Sequence, residues 1–168
     1  MFSFKIFEIP EGRSERTLEL NRNDLDLGDT PFKGGRIYIQ FDRSLHFIRT
    51  KLDIDVDVEL VCDRSLDVFD YTVKQPYDIL FNAEKIEESA DENGALRNFD
   101  HGSKQINIEQ DVRDTILVSL PVKKLHPRYL DENGNPKEFE DRRFGSVEDE
   151  NSDGIDPRWE ALKGLKNK

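Results

Sequence analysis

Residues 51–62 alternate without a break: Leu52, Ile54, Val56, Val58, Leu60 and Cys62 take every second position, with Asp53, Asp55, Asp57 and Glu59 between them. Side chains of a strand point to opposite faces in turn, so this pattern predicts a strand with one face in a core and one in water. A row of carboxylates on one face is self-repelling and calls for basic groups on the neighbouring strands. Upstream, Ile37, Ile39 and Phe41 alternate with Tyr38 and Gln40 after a Gly34-Gly35 breaker, and the D-R-S step at 42–44 reads as a hairpin turn. A second D-R-S, at 63–65, leads into Phe69, Tyr71 and Val73. Pro76 is expected to end that strand, with Tyr77, Ile79 and Phe81 beginning the next. Phe2, Phe4 and Ile6, and later Leu18 and Leu20, supply one or two more strands. Strands linked by short turns predict a meander rather than βαβ units.

Residues 84–105 break the alternation and read as a long mobile excursion. A helical period follows: Ile108, Val112, Ile116 and Leu120 recur four apart and Leu117 widens the stripe. Asn107 suits the N-cap, Gln110 stands where a capping box needs it, and Pro121 stops the helix. The pattern therefore predicts a helix over 108–119, packed on one face of the sheet. From Asp131 onward Gly, Asn, Asp, Glu and Pro dominate, and no element is predicted before the chain's end. There Asp156 and Pro157 can open a short helix, with Trp159, Leu162 and Leu165 on one face. The fold class is α+β: mainly an antiparallel β meander, open-barrel or sandwich-like, with one packed helix and a short C-terminal helix. The expected organisation is a core domain at 1–130, an acidic flexible segment at 131–156 and a basic amphipathic tail at 157–168.

Charge changes the picture by its distribution. The 168 residues carry 36 acidic and 25 basic side chains, a net −11, which argues against a surface that grips phosphate everywhere. Residues 131–156 hold ten acids against three bases, whereas 158–168 hold four bases against one acid. No apolar run reaches the roughly 18–20 residues of a membrane span, and residues 1–10 show no cleavable signal pattern. A cytoplasmic protein is expected. A single Cys excludes an internal disulfide framework and a Cys-only zinc cluster.

Candidate chemistry is sparse. There is no nucleophile elbow, phosphate-binding glycine loop or His-Glu metal motif, and His46, His101 and His126 lack ligand spacing. Cys62 ends a core-facing alternation and reads as a buried apolar residue. The Asp53–Asp55–Asp57–Glu59 row could mimic a Mg²⁺ nuclease site, but a solvated strand face explains it as well. No enzyme is expected. One pattern does match an EF-hand loop: Asp149, Asn151, Asp153, Gly154 and Glu160 fall at the positions Ca²⁺ coordination requires, although Pro157 interrupts the loop and no amphipathic helix precedes it. An acidic interaction module, with Ca²⁺ at 149–160, is thus the alternative reading.

Three spaced signatures together resemble the YceD family, the large ribosomal RNA subunit accumulation proteins. V-E-L-V-C-D-R-S-L at 58–66 is similar to the family's strand followed by a C-x-R-C turn. I-N-I-E-Q-D-V-R-D-T-I-L-V-S-L-P at 106–121 is similar to its I-D-L helix ending in a leucine-proline step. D-P-R-W-E-A-L-K-G-L-K at 156–166 is similar to its closing D-P-R-x-x-x-L-x-x-L-K. The resemblance implies a non-enzymatic ribosome-assembly factor supporting 23S rRNA synthesis, processing or stability. Its partner would be 23S rRNA, a pre-large-subunit particle or a basic large-subunit ribosomal protein. Candidate contacts are Arg64, Lys123, Lys124, His126 and Arg128, with Arg158, Trp159, Lys163 and Lys166 in the tail. A salt bridge from Arg64 to the carboxylate row is an equally good reading of that residue. Many relatives have a second Cys where Ser65 stands and a Cys where His126 lies, which look like zinc ligands. One Cys and one His cannot complete a tetrahedral cage, so no structural zinc is expected in this chain.

Overall fold

The computed structural model describes residues 1–99 and 104–137. Among these residues, eight strands and one α-helix follow in the order β1 (Ser3–Lys5), β2 (Gly12–Asn21), β3 (Phe32–Arg43), β4 (Phe47–Val61), β5 (Val68–Asn82), β6 (Ser89–Ala90), β7 (Gly94–Asn98), β8 (Gln105–Asn107) and α1 (Glu109–Val118). An open six-stranded sheet has the order β2-β3-β4-β5-β7-β6, and β1 pairs β8 in a separate two-stranded ribbon. The class is α+β, mainly β.

The long meander β2 to β5 is antiparallel throughout, with Ile54 of β4 opposite Ile37 of β3 and Gln75 of β5. One sheet face carries Ile37, Ile39, Phe41, Leu52, Ile54, Val56, Val58, Leu60, Val73 and Ile79, all buried. Phe2, Phe4, Ile9, Ile108, Val112, Ile116 and Leu125 are among the residues packed into the same core. Phe4 meets Phe41 edge-on with ring centroids 5.2 Å apart, which ties the N-terminus to β3. The other face is polar, as antiparallel sheets allow. Its carboxylate row is matched across the strands: Asp55 lies 3.8 Å from Arg36 of β3 and 3.6 Å from Lys74 of β5, and Thr72 donates to Asp57 at 2.6 Å.

The structure departs from the local sequence signals at several points. Gly34 and Gly35 do not break β3. They lie inside it, next to a register shift between Phe32 and Gly34, with φ of 133° and 144°. A Cβ on Gly35 would come within 2.5 Å of Asp55 O, so glycine is what lets β3 approach β4 this closely. Pro76 does not end a strand either, since β5 runs through it opposite Asp53. β7 pairs β5 only from Asp78 to Asn82, so Pro76 borders an open edge where a missing N–H is tolerated.

Residues 84–99 are not an unstructured excursion. They supply β6 and β7, and β7 runs parallel to β5 in an otherwise antiparallel sheet. Gly94 permits the approach, because a Cβ there would collide with Asp78 O. Arg97 of β7 then reaches α1, where its Nη2 donates to Asp111 Oδ1 at 2.6 Å. α1 begins at Glu109, one residue later than its expected start, and the Asn107 side chain still accepts the Glu109 N–H at 2.9 Å. Beyond α1, Asp131 Oδ1 accepts the N–H groups of Asn133 and Asn135, so 131–136 forms an ordered turn where the composition predicts no element. The rest of the expected acidic segment and the C-terminal helix lie outside the described residues.

Candidate functional site

The turn between β4 and β5 is built on Cys62 and held by the chain that follows α1. Asp63 N–H donates to Lys124 O at 2.8 Å, and Lys124 N–H returns to Asp63 Oδ2 at 2.7 Å. His126 is far from Cys62 in sequence, yet its N–H donates to Cys62 Sγ at 3.3 Å. The His126 ring lies 5.6 Å from that of Phe69, and its Nδ1 accepts the Arg128 N–H at 3.2 Å. Pro127 opens a single 3-10 turn, Pro127–Tyr129, that sets Arg128 and Tyr129 beside the hairpin. Arg128 forms an ion pair with Asp67, and the guanidinium carbons of Arg64 and Arg128 each lie 4.8 Å from the centre of the Tyr129 ring.

This geometry draws Arg64, Lys124, His126 and Arg128 into one cluster, and Lys123, exposed, precedes Lys124 in the chain. Arg64 stands over Tyr129, while the cations next to the β4 carboxylate row are Arg36 and Lys74. Arg158, Trp159, Lys163 and Lys166 lie outside the described residues, as does the 149–160 loop pattern. Tyr129, Asp67 and the exposed Leu66 belong to the cluster but carry no spacing signal. Pro127, a residue that favours the first position of a helical turn, is the one local signal that could have found Tyr129.

Cys62 is covered from solvent at the end of β4. Burial, the largest influence, pushes its thiol up. The Ser65 hydroxyl and the N–H groups of His126, Ser65 and Arg64 together outweigh it and hold the thiol at about 7. Ser65 Oγ is itself buried and makes no hydrogen bond of full geometry, so it acts on Cys62 and on the neighbouring Asp67 carboxylate by proximity. Asp67 is held below the usual carboxylate range, first by Ser65 and then by Arg128, against its partial burial.

A tetrahedral zinc does not fit this set. Cys62 offers one thiolate, Ser65 a hydroxyl, and His126 commits Nδ1 to Arg128. Among the described residues no group of three His, Cys, Asp or Glu side chains converges as a metal site. The groove between β5 and α1, about 470 Å³, is lined by Tyr77, Asp91, Glu92, Asp114, Thr115 and Val118 and contains no basic side chain. No described helix is long and apolar enough to cross a membrane.

The model of the family described as large ribosomal RNA subunit accumulation protein YceD matches residues 50–166 of this chain. That span covers the hairpin tip, α1 and the segment that ties them together. No curated protein and no solved structure matches.

Proposed function

Because the chain belongs to the YceD family, whose role is accumulation of large-subunit ribosomal RNA, we propose that it is a non-enzymatic assembly factor in the cytoplasm that supports 23S rRNA by touching it directly. The observation that carries this reading is that Arg64, Lys124, His126 and Arg128 meet at the β4–β5 turn, with Lys123 next to Lys124 in the chain. A local cationic surface lets a protein of net −11 meet phosphate in one orientation while the remaining surface repels it. Such a role needs no catalytic chemistry, because sequestering an unfolded or unprocessed stretch of rRNA protects it by occupancy.

The second reading, contact with a basic large-subunit ribosomal protein, draws on the acidic groove between β5 and α1. Capture of the tagged chain from its own lysate, with and without RNase, separates the two. Under the first reading 23S rRNA is enriched and the large-subunit proteins leave with the RNA. Retention of one basic ribosomal protein after RNase would favour the second, and enrichment of neither would remove both.

A further inference from the structure

The β4–β5 tip, which carries Arg64, exposes apolar side chains. Leu66 is 77 % exposed and sits in the left-handed region, at φ 61°. That conformation is strained for a leucine, and solvent returns nothing for it. Its N–H donates to Cys62 O at 2.9 Å, so the turn holds Leu66 outward. Val61 and Val68, paired across β4 and β5, are also exposed.

The acids here are already engaged. Asp63 accepts the Lys124 N–H and Asp67 pairs with Arg128. Arg64, Lys123, Lys124 and Arg128 still outnumber Asp63 and Asp67, so the tip joins exposed apolar side chains to a local excess of positive charge, the complement of an anionic partner that also shows flat apolar surface. Unpaired nucleotides have both properties. A-form duplex presents phosphates and hydroxyls but keeps its base faces stacked away.

We propose that the β4–β5 tip receives unpaired nucleotides of a loop or bulge in RNA. Bases lie against Leu66 and the Arg64–Tyr129 stack, and phosphates lie against Lys123 and Lys124. This rests on the RNA contact proposed above and adds the class of RNA. Arginine planes and aromatic rings are the usual platforms for splayed bases, and stacking tolerates any base identity.

The test is fluorescence anisotropy with the full chain and two labelled RNAs: a hairpin with an adenosine loop of about eight nucleotides, and a blunt duplex of the same stem. The hairpin is expected to bind roughly tenfold tighter. With two phosphate contacts, at Lys123 and Lys124, the plot of log K against log salt should have a slope of about −1.4. Leu66→Asn, a residue that suits the left-handed region, should melt at or above the wild-type temperature and yet lose the preference for the hairpin. A purely structural role would move melting and binding in the same direction. Equal affinity for hairpin and duplex overturns loop selection and leaves RNA contact standing. Binding of neither RNA at about 50 mM salt overturns both.

Discussion

The backbone N–H of His126 points at the sulfur of Cys62, 3.3 Å away, and so fastens the chain after α1 to the end of β4. Together with the N–H groups of Ser65 and Arg64 it favours the thiolate. The folded thiol titrates at about 7 against an ordinary value of 9.0, so the folded state holds the proton less tightly than the unfolded chain. Stability from this group is fully present above the unfolded value and is lost as pH falls through about 7. Urea unfolding of the wild type and of Cys62→Ala should therefore diverge between about pH 7 and pH 9, the wild type gaining on the variant. Parallel curves across that range would show that the thiol titrates in the same way folded and unfolded.

Arg97 and Asp111 form the one strongly covered ion pair among the described residues, with side chains 24 % and 5 % exposed. Removing Asp111 leaves the largely covered Arg97 guanidinium with Glu88, 4.0 Å away and half exposed, as a weaker counter-charge. Asp111→Ala should cost about 3 kcal/mol in chemical denaturation. Replacing both with leucine should recover much of that loss, which distinguishes a stranded charge from lost packing.

The pairs on the open sheet face behave differently. Asp55 shares Arg36 and Lys74 in solvent, at 3.8 and 3.6 Å. Asp55→Asn should change stability by less than about 1 kcal/mol, and the difference should shrink in high salt. A loss as large as that at Asp111 would mean that the row organises the sheet.

Gly35 carries a backbone requirement rather than a contact. Gly35→Ala would force a methyl group within 2.5 Å of Asp55 O and Val56 Cα and should cost about 2–3 kcal/mol, read as a lower urea midpoint. Gly12→Ala, where a Cβ meets nothing within 4 Å, has only its φ of 78° to oppose it and should lose less.

These positions also show where the sequence speaks and where it does not. The faces of β4 follow from the alternation at 51–62, because a strand buried on one side must place its apolar residues at every second position. The α1 stripe is legible for the same reason, whereas the N-cap falls on Ile108, one residue after Asn107, whose side chain accepts the Glu109 N–H from the end of β8. Gly34-Gly35 and Pro76 mislead because their local meaning is interruption. What they do here depends on neighbours: a close β4 backbone for Gly35, and an unpaired edge for Pro76. β7 is invisible because Ala95 is its one buried hydrophobic side chain and its parallel partner β5 is not joined to it by a simple hairpin. At the candidate site, the basic residues can be named from composition. Their convergence cannot, since the Asp63, Cys62 and Asp67 side chains that hold residues 124–128 do so across about sixty positions of sequence, and no local pattern pairs them.

If the cations at the β4–β5 tip are what sustains 23S rRNA, their removal should act in the cell as removal of the whole chain does. The most direct measurement is the ratio of 23S to 16S rRNA in cells lacking the chain, complemented either by the wild type or by a triple variant, Arg64→Glu, Lys123→Glu and Lys124→Glu. The triple variant must first be shown to melt as the wild type does. The expected result is a ratio lowered on deletion, restored by the wild type and not by the variant. A ratio unchanged by deletion, or fully restored by the variant, would contradict the role given to the tip.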